Sequence, residues 1–230
     1  MILTGAIANG LGVVICGFIG SKFRKGIPQR VSETIMQALS LVVIFIGISG
    51  TFSGHNALIT IVSLAIGTVI GHLVGLDRAI NRLGDYLQRK FSSDGSVSIT
   101  DGFVSASLLI CVGAMAIIGA LESGLSGNHS TLLAKSVIDA VATLIMATTL
   151  GIGVALSGVL VFIYEAAMTL GAGFIQPYLT QAIIDEMACA GAVTIICIGF
   201  NMMGISKIKV MNMVPGIFLP ILLGRFFVMF

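Results

Sequence analysis

The chain has 230 residues, of which 57% are hydrophobic and 10% are charged. A water-soluble domain has about 25% charged residues, because its surface must be hydrated. The composition therefore excludes an ordinary soluble domain and predicts an all-α integral membrane protein whose outer surface faces lipid. The net charge of +2 gives no indication of nucleic-acid binding, and the 29 glycines suit closely packed transmembrane helices.

Eight apolar stretches are each long enough to cross a bilayer, which takes about 20 helical residues. The predicted spans are 2–21, 34–52, 57–76, 102–121, 132–149, 151–172, 183–204 and 208–228. The region 132–172 leaves two interpretations open, either two spans hinged at 148–153 or one span with a re-entrant segment. Apolar residues at helical spacing over 77–91 predict an amphipathic helix on the inner membrane surface or a solvated connector.

Lysine and arginine are concentrated in the connections 21–30, 77–101 and 205–209, whereas 50–56 and 122–131 have none. Short cytoplasmic loops are enriched in these residues. Eight spans with both termini outside would place all three basic connections in the cytoplasm. The first apolar stretch has no basic region ahead of it, so we expect a retained span and not a cleaved signal peptide.

Glycine spacing predicts inverted three-helix repeats. GAIANGLGVV, from Gly5, is similar to GIGVALSGVL, from Gly151. In the third helix of each unit a four-residue spacing recurs, with Gly67, Gly71 and Gly75 in one and Gly216, Pro220 and Gly224 in the other. The units would cross the membrane in opposite directions, as in many secondary transporters. The single membrane domain 1–230 would comprise repeat unit one (1–76), a cytoplasmic connector (77–101), linking helices (102–149) and repeat unit two (150–230).

Two carboxyl groups, Asp139 and Glu165, fall within predicted spans, where a charge costs about 2.5–3.5 kcal/mol on insertion scales. Each lies about 10 Å from the outer end of its helix, so the two would share a level in the membrane. As neighbours they would titrate together, which is one way to build a proton carrier. Alternatively, each carboxyl hydrogen-bonds a neighbouring helix, or Glu165 reaches the interface. Lys135 is expected to extend toward the outer surface.

Polar residues and glycines complete the candidate site. Buried asparagine amides would bind polar groups of a solute or join helices. The Thr148–Gly153 break would provide free backbone groups that line a cavity, or a hinge. The predicted substrate or ion site comprises Asp139, Glu165, Asn9, Asn201, Asn212, Thr148, Thr149, Gly151 and Gly153.

The sequence lacks a phosphate-binding GxxxxGK[ST] loop, an HExxH pair and a GxSxG turn. These motifs are typical of ATPases, metalloproteases and serine hydrolases. We therefore expect no enzyme activity, no cofactor and no metal site. Asp185 and Glu186 suit the N-terminus of the span 183–204, where the helix dipole favours negative charge, and are given no chemical role.

Five stretches carry a family resemblance: CVGAMAIIG from Cys111, GLSG from Gly124, AKSVID from Ala134, LGIGV from Leu150 and IGFNMMGISKIKVMNMVP from Ile198. They resemble the YqgA/YdfK-like bacterial membrane proteins, number 554 in the domain-of-unknown-function series. The resemblance extends over nearly the whole chain and implies a bacterial inner-membrane protein of unknown function. It also implies Gly in place of Ala140 and Gln in place of Glu165, so a two-carboxyl mechanism is not expected throughout the family.

The sequence supports three hypotheses for the function. The first is an ion-coupled secondary transporter of a small solute, in which Asp139 binds the coupling ion or a cationic solute. The second is a non-transporting sensor or accessory subunit, whose polar groups would pair with one another and leave no accessible cavity. The third is a passive channel with a continuous polar path. The expected partners are the lipid bilayer, an unidentified solute and its coupling ion, no nucleic acid, and a second copy in a homodimer packed through Gly-rich faces.

Overall fold

The computed structural model describes residues 1–23, 29–91, 98–111 and 114–227. All regular elements in these residues are helices, which confirms the predicted all-α class. The α-helices are α1 (Thr4–Phe23), α2 (Gln29–Thr51), α3 (Ala57–Val74), α4 (Leu76–Phe91), α5 (Ile99–Cys111), α6 (Ala114–Ser126), α7 (Ser130–Leu150), α8 (Ile152–Leu170), α9 (Ala172–Ile175), α10 (Gln181–Met202), α11 (Val214–Phe218) and α12 (Pro220–Phe227). Short 3₁₀ helices occupy Gln176–Tyr178 and Val210–Met213.

In the described part of the chain, six helices are long and apolar enough to cross a membrane, namely α1, α2, α3, α7, α8 and α10. The pair α5 and α6, bent by 61°, makes a seventh if it forms one span. The eighth predicted span, 208–228, contains a 3₁₀ helix and two short α-helices, so the count of eight is not confirmed. Pro215 and Pro220 each lie in the first turn of one of these short helices, where a missing N–H is tolerated.

The region 132–172 forms two full-length helices, in agreement with the first of its two interpretations. Gly151 alone separates α7 from α8, with φ 73° and ψ −157°. Only glycine adopts this backbone conformation readily. Gly75, at φ 74°, likewise ends α3 and lets α4 begin at the next residue. The amphipathic helix predicted over 77–91 is thus present as α4, and its position on the membrane surface stays a prediction.

Backbone contacts divide the chain into two compact units. Unit 1 contains α1, α5, α7, α8, α9 and nearly all of α6, and unit 2 contains α3, α10, α11, α12 and most of α2. Neither unit is a continuous stretch of sequence. The predicted boundaries at 76, 101 and 149 separate two sequence repeats from the segments that link them. This division into repeats stays a prediction.

In unit 1, α1 packs against both α7 and α8. The contacts of α1 with α7 run in parallel order, and those with α8 in antiparallel order. The pairs are Gly5–Leu132 and Gly20–Ala147 for α7, and Gly10–Phe162 and Gly17–Ala155 for α8. A Cβ atom added at Gly17 would lie 2.6 Å from the Cα of Ala155, so glycine allows this close approach. The antiparallel course of α1 and α8 is what the predicted inversion requires, although the repeat itself stays a prediction.

In unit 2, glycines again allow helices to approach closely. Gly47 of α2 lies against Ile196 of α10. Gly67 of α3 lies against Gly216 of α11, which places backbone against backbone. A Cβ atom at Gly216 would lie 2.8 Å from the carbonyl oxygen of Ser63. One glycine from each of the two predicted third helices, Gly67 and Gly216, therefore packs against the other.

Candidate functional site

Asp139 of α7 and Glu165 of α8 meet at the amide of Asn9 in α1. The Asn9 Nδ2 donates to Asp139 Oδ2 at 2.9 Å and to Glu165 Oε1 at 2.6 Å. Both carboxyls lie about three to four turns from Gly151, which brings them level when α7 and α8 pack side by side. The prediction that the two carboxyls share a level is therefore confirmed, and Asn9 joins them.

Lys135 is the fourth member of this group, and sequence reasoning missed it. Its ammonium group contacts Asp139 Oδ2 and lies 3.8 Å from Glu165 Oε1. The expectation that Lys135 extends to the surface was wrong, because the residue is 5% exposed. The signal was its position four residues before Asp139, which puts both side chains on one helix face. We call Asn9, Lys135, Asp139 and Glu165 the buried cluster.

The buried cluster has one basic and two acidic groups, so it has a net negative charge if all three are ionised. Asn9 and Glu165 are 0% exposed and Asp139 is 8% exposed. Two acceptor atoms, Asn9 Oδ1 and Glu165 Oε2, have no hydrogen-bond partner among the described residues. An unpaired buried polar atom costs about 1–3 kcal/mol. Two acceptors of the buried cluster therefore lack a donor among the described residues.

Apolar side chains of α1, α5 and α8 pack together one helical turn from residues of the buried cluster. Ile110 of α5 packs with Val13 of α1 and Val161 of α8, and Cys111 lies against them. Val13 lies one helical turn from Asn9, and Val161 one turn from Glu165. Such apolar surroundings strengthen the electrostatic interactions of the charged groups.

Asn201 and Asn212 belong to unit 2, where each makes local hydrogen bonds. The Asn201 side chain pairs with the backbone of Ile208, donating to its oxygen at 2.8 Å and accepting from its nitrogen at 2.9 Å. This fixes the turn after α10. The Asn212 Oδ1 accepts from the backbone N–H of Asp77 at 3.1 Å, at the start of α4. Neither residue takes part in the hydrogen bonds that join Asn9 to the carboxyls, and their role toward a solute stays a prediction.

The predicted break at 148–153 is a compact turn. The hydroxyl groups of Thr148 and Thr149 donate to carbonyl groups of their own helix. The N–H of Gly151 donates to a carbonyl of α7 at 3.0 Å, and its own carbonyl accepts from α8 at 3.2 Å. Gly153 lies against Ile99 at the start of α5. The backbone groups of Gly151 thus make local hydrogen bonds, and a role for this break in binding or as a hinge stays a prediction.

Glu186 is a buried carboxyl of unit 2 to which the sequence assigned no chemistry. Its Oε1 accepts from the backbone N–H groups of His55 and Asn56, at 2.7 and 2.8 Å. Its Oε2 lies 3.5 Å from the Thr60 hydroxyl. The expectation that Glu186 serves the N-terminus of its own helix was wrong, because α10 begins at Gln181 and the carboxylate instead binds the two residues directly before α3.

Among the described residues, no three His, Cys, Asp or Glu side chains are arranged to hold a metal ion. Within the buried cluster, the groups able to hold a ligand are the two carboxyls, the ammonium group and the amide. These groups can exchange a proton, bind a small cation, or bind the polar part of a solute.

Comparison with known proteins gives two relatives that match over nearly their whole length. The chain is 28% identical over 220 residues to the uncharacterized membrane protein YdfK of Bacillus subtilis (strain 168), covering 94% of this chain and 93% of the relative. It is 25% identical over 219 residues to the uncharacterized protein YqgA of Escherichia coli (strain K12), with the same coverage. No solved structure matches the chain significantly. A family model matches residues 4–224, and the chain therefore belongs to the family described as Protein of unknown function (DUF554).

Proposed function

We propose that this chain is an ion-coupled secondary transporter, which moves a small solute across the bacterial inner membrane. The observation that supports this is the buried cluster of unit 1. Ionisable side chains at membrane depth are costly, and they are typical of ion pathways and proton relays. Most buried polar atoms in proteins have a hydrogen-bond partner, whereas two acceptors of this cluster have none among the described residues.

The coupling ion would enter where negative charge is uncompensated. With Lys135 paired to Asp139, the carboxyl of Glu165 has no cation closer than 3.8 Å among the described residues. A positive ion at this position makes the cluster neutral. Asn9 is hydrogen-bonded to both α7 and α8, so loading and unloading would change how α1 packs against these two helices. Such a difference between loaded and empty states is what a transporter needs, because a ligand shifts a conformational equilibrium only by its differential affinity.

The proposal includes a topology with both termini outside, because this puts the Lys- and Arg-rich connections in the cytoplasm. The relative from Bacillus subtilis is named a membrane protein, which supports the location. No enzymatic activity is proposed. The partners would be lipid, the solute, the coupling ion and a second copy of the chain in a homodimer. Gly151, the single residue between α7 and α8, would be the hinge between them.

A second candidate is a non-transporting sensor or accessory subunit. The observation that favours it is the pairing within the buried cluster, where Lys135 bonds Asp139 and Asn9 bonds both carboxyls. Such a network could serve only to hold three helices together. The two candidates predict different results for a variant in which the charge of Asp139 is removed.

The experiment is a thermal-shift screen of purified protein against amino acids, organic acids, nucleobases, polyamines and inorganic ions. A ligand at a hundredfold excess over its Kd stabilises the folded state by about 2.7 kcal/mol. Solutes that stabilise the protein are then tested for ion-driven uptake into liposomes that contain it. We expect Asp139→Asn to abolish uptake and keep the fold, because Glu165 lies close enough to take over Lys135. The matched control is Asp101→Asn, which changes an exposed residue of α5.

Two results would favour the accessory subunit instead. One is an Asp139→Asn protein that no longer folds or inserts, which would indicate a structural ion pair. The other is a panel in which no solute stabilises the wild-type protein. Equal uptake by the wild type and Asp139→Asn would contradict the role of the buried cluster in transport.

A further inference from the structure

The amide of Asn9 and the carboxyl of Glu165 are joined by one hydrogen bond, in which Nδ2 donates to Oε1 at 2.6 Å. Each group has one further oxygen, Asn9 Oδ1 and Glu165 Oε2. Both oxygens are buried and have no hydrogen-bond partner among the described residues. When Glu165 is ionised, both atoms are acceptors only, and they cannot satisfy each other.

We propose that Glu165 is protonated on Oε2 in this arrangement, and that this proton is the coupling ion of the transporter. A protonated carboxyl has one O–H donor. That O–H would donate to Asn9 Oδ1 while Asn9 Nδ2 donates to Oε1, so the acid and the amide form a closed ring of two hydrogen bonds. One proton thereby provides a partner for both of the buried atoms that lack one. The coupling role rests on the proposed function, whereas the protonation itself does not.

The other N–H of the Asn9 amide fits this arrangement. Asn9 Nδ2 also donates to Asp139 Oδ2 at 2.9 Å. A primary amide has two N–H donors, so one can close the ring with Glu165 while the other holds Asp139. The amide therefore connects a neutral acid on α8 with an ionised acid on α7.

Charge balance supports a proton at Glu165. The ionisable groups that face this carboxyl are Lys135 and Asp139 from α7, and Cys111 lies nearby on α5. With Glu165 neutral, Lys135 and Asp139 form a balanced ion pair and the buried cluster has no net charge. With Glu165 ionised, an uncompensated negative charge would lie on a side chain that is 0% exposed.

A metal cation fits less well than a proton. Hard cations such as Mg²⁺ and Ca²⁺ are held by about six to eight oxygen ligands. The described residues of the buried cluster offer two unpartnered oxygens. A proton needs one oxygen to bind and one acceptor to donate to, and this pair provides both.

Loss of the proton would change the ion pairing. The O–H bond of Glu165 breaks, its electron pair stays on Oε2 and the proton leaves to water. The new carboxylate then competes with Asp139 for Lys135, which lies 3.8 Å from Oε1 in the protonated arrangement. Movement of Lys135 between the two carboxyls would couple the proton to the packing of α7 against α8.

The test compares infrared spectra of the wild type and of Glu165→Gln, each as the full chain in lipid. The spectra are compared at the C=O stretch of a protonated carboxylic acid. We expect the wild type to show this band at neutral pH and Glu165→Gln to lose it. The Gln side chain can form the same ring with Asn9, since its amide has both a donor and an acceptor. The variant should therefore keep its fold, which thermal unfolding checks. Glu122→Gln in α6, which changes a carboxyl bonded to Thr131, is the matched control and should keep the band.

Three results would overturn the proposal. The first is a wild type without the band, and the second is a band that Asp139→Asn removes while Glu165→Gln keeps it. The third is a band that disappears when sodium replaces potassium at constant pH, which would assign the site to a sodium ion. A protein that takes up solute without the band would contradict this inference alone. A protein that shows the band and moves no solute would contradict the proposed function and leave the protonated Glu165 in place.

Discussion

Glu165 in unit 1 and Glu186 in unit 2 are both buried carboxyls on long apolar helices, yet their surroundings differ. Glu186 accepts two backbone N–H groups at 2.7 and 2.8 Å, so its charge is matched by strong donors. Glu165 accepts one amide N–H at 2.6 Å, and its second oxygen has no partner among the described residues. Burial alone therefore does not distinguish the two carboxyls, whereas the number of their hydrogen-bond partners does.

The physical reason lies in what each carboxyl stabilises. The first N–H groups of a helix have no partner within that helix. Glu186 binds the backbone N–H groups of His55 and Asn56, directly before α3, where negative charge also interacts favourably with the helix dipole. Among the described residues, no backbone N–H group donates a hydrogen bond to Glu165 Oε2. Lipid cannot provide the missing donor. Glu186 therefore stabilises the start of α3, whereas Glu165 has an oxygen to which a proton can bind.

The largest effect should come from removing the cation of the buried cluster. Lys135→Met leaves Asp139 without its ion-pair partner, and breaking one side of a buried pair costs about 3–5 kcal/mol. We expect the free energy of unfolding in detergent to fall by about this amount. Adding Asp139→Asn to the same chain should restore part of the loss, because no unpaired anion then remains.

The matched control for this variant is Lys207→Met, which changes an exposed lysine in the turn after α10 and should leave unfolding nearly unchanged. A Lys135→Met protein as stable as the wild type would mean that the cluster tolerates an extra negative charge. The contrast between Glu165 and Glu186 would then lose its electrostatic basis.

The same substitution at the two glutamates should give different results. Hydrogen bonds to charged groups contribute about 1.5–3 kcal/mol and neutral ones about 0.5–1.5 kcal/mol. Glu186→Gln weakens two bonds to backbone N–H groups, so we expect the free energy of unfolding to fall by about 1–3 kcal/mol. Glu165→Gln replaces a neutral acid by a neutral amide and should change it by less than about 1 kcal/mol.

Chemical denaturation of the two variants under one condition measures this difference. Equal losses at both positions would indicate that Glu165 is ionised like Glu186. A larger loss at Glu165 would point in the same direction, and it would contradict the acid–amide pair directly.

The sequence predicts the helices that carry these carboxyls better than it predicts the residues that the carboxyls contact. Apolar length and the glycine at 151 correctly indicate the long helices α7 and α8, and therefore the shared level of Asp139 and Glu165. The sequence analysis names Asn9 as a candidate site residue without showing what it contacts, and it does not indicate that Lys135 belongs to the group. The contacts of Asn9 join positions that are 130 and 156 residues apart, and no local pattern encodes such pairs.

Small errors in helix boundaries explain other differences. The prediction began the seventh span at residue 183, which put Glu186 in its first turn, whereas α10 begins at Gln181. Two residues thus decide whether this carboxyl serves its own helix or the start of α3. In 208–228, apolar composition predicted one span, but Pro215 and Pro220 lie in the first turns of two separate short helices.

The smallest effect should come from Thr60, the third partner of Glu186. Its hydroxyl lies 3.5 Å from Glu186 Oε2, at the outer limit of a hydrogen bond, and 3.4 Å from the sulfur of Cys189. We expect Thr60→Val to lower the free energy of unfolding by less than about 1 kcal/mol, because the two backbone N–H groups carry most of the interaction. Chemical denaturation of Thr60→Val and Glu186→Gln under one condition compares their free energies of unfolding. If Thr60→Val costs as much as Glu186→Gln, Glu186 depends on a side-chain donor as Glu165 depends on Asn9. The number of partners would then no longer separate Glu186 from Glu165.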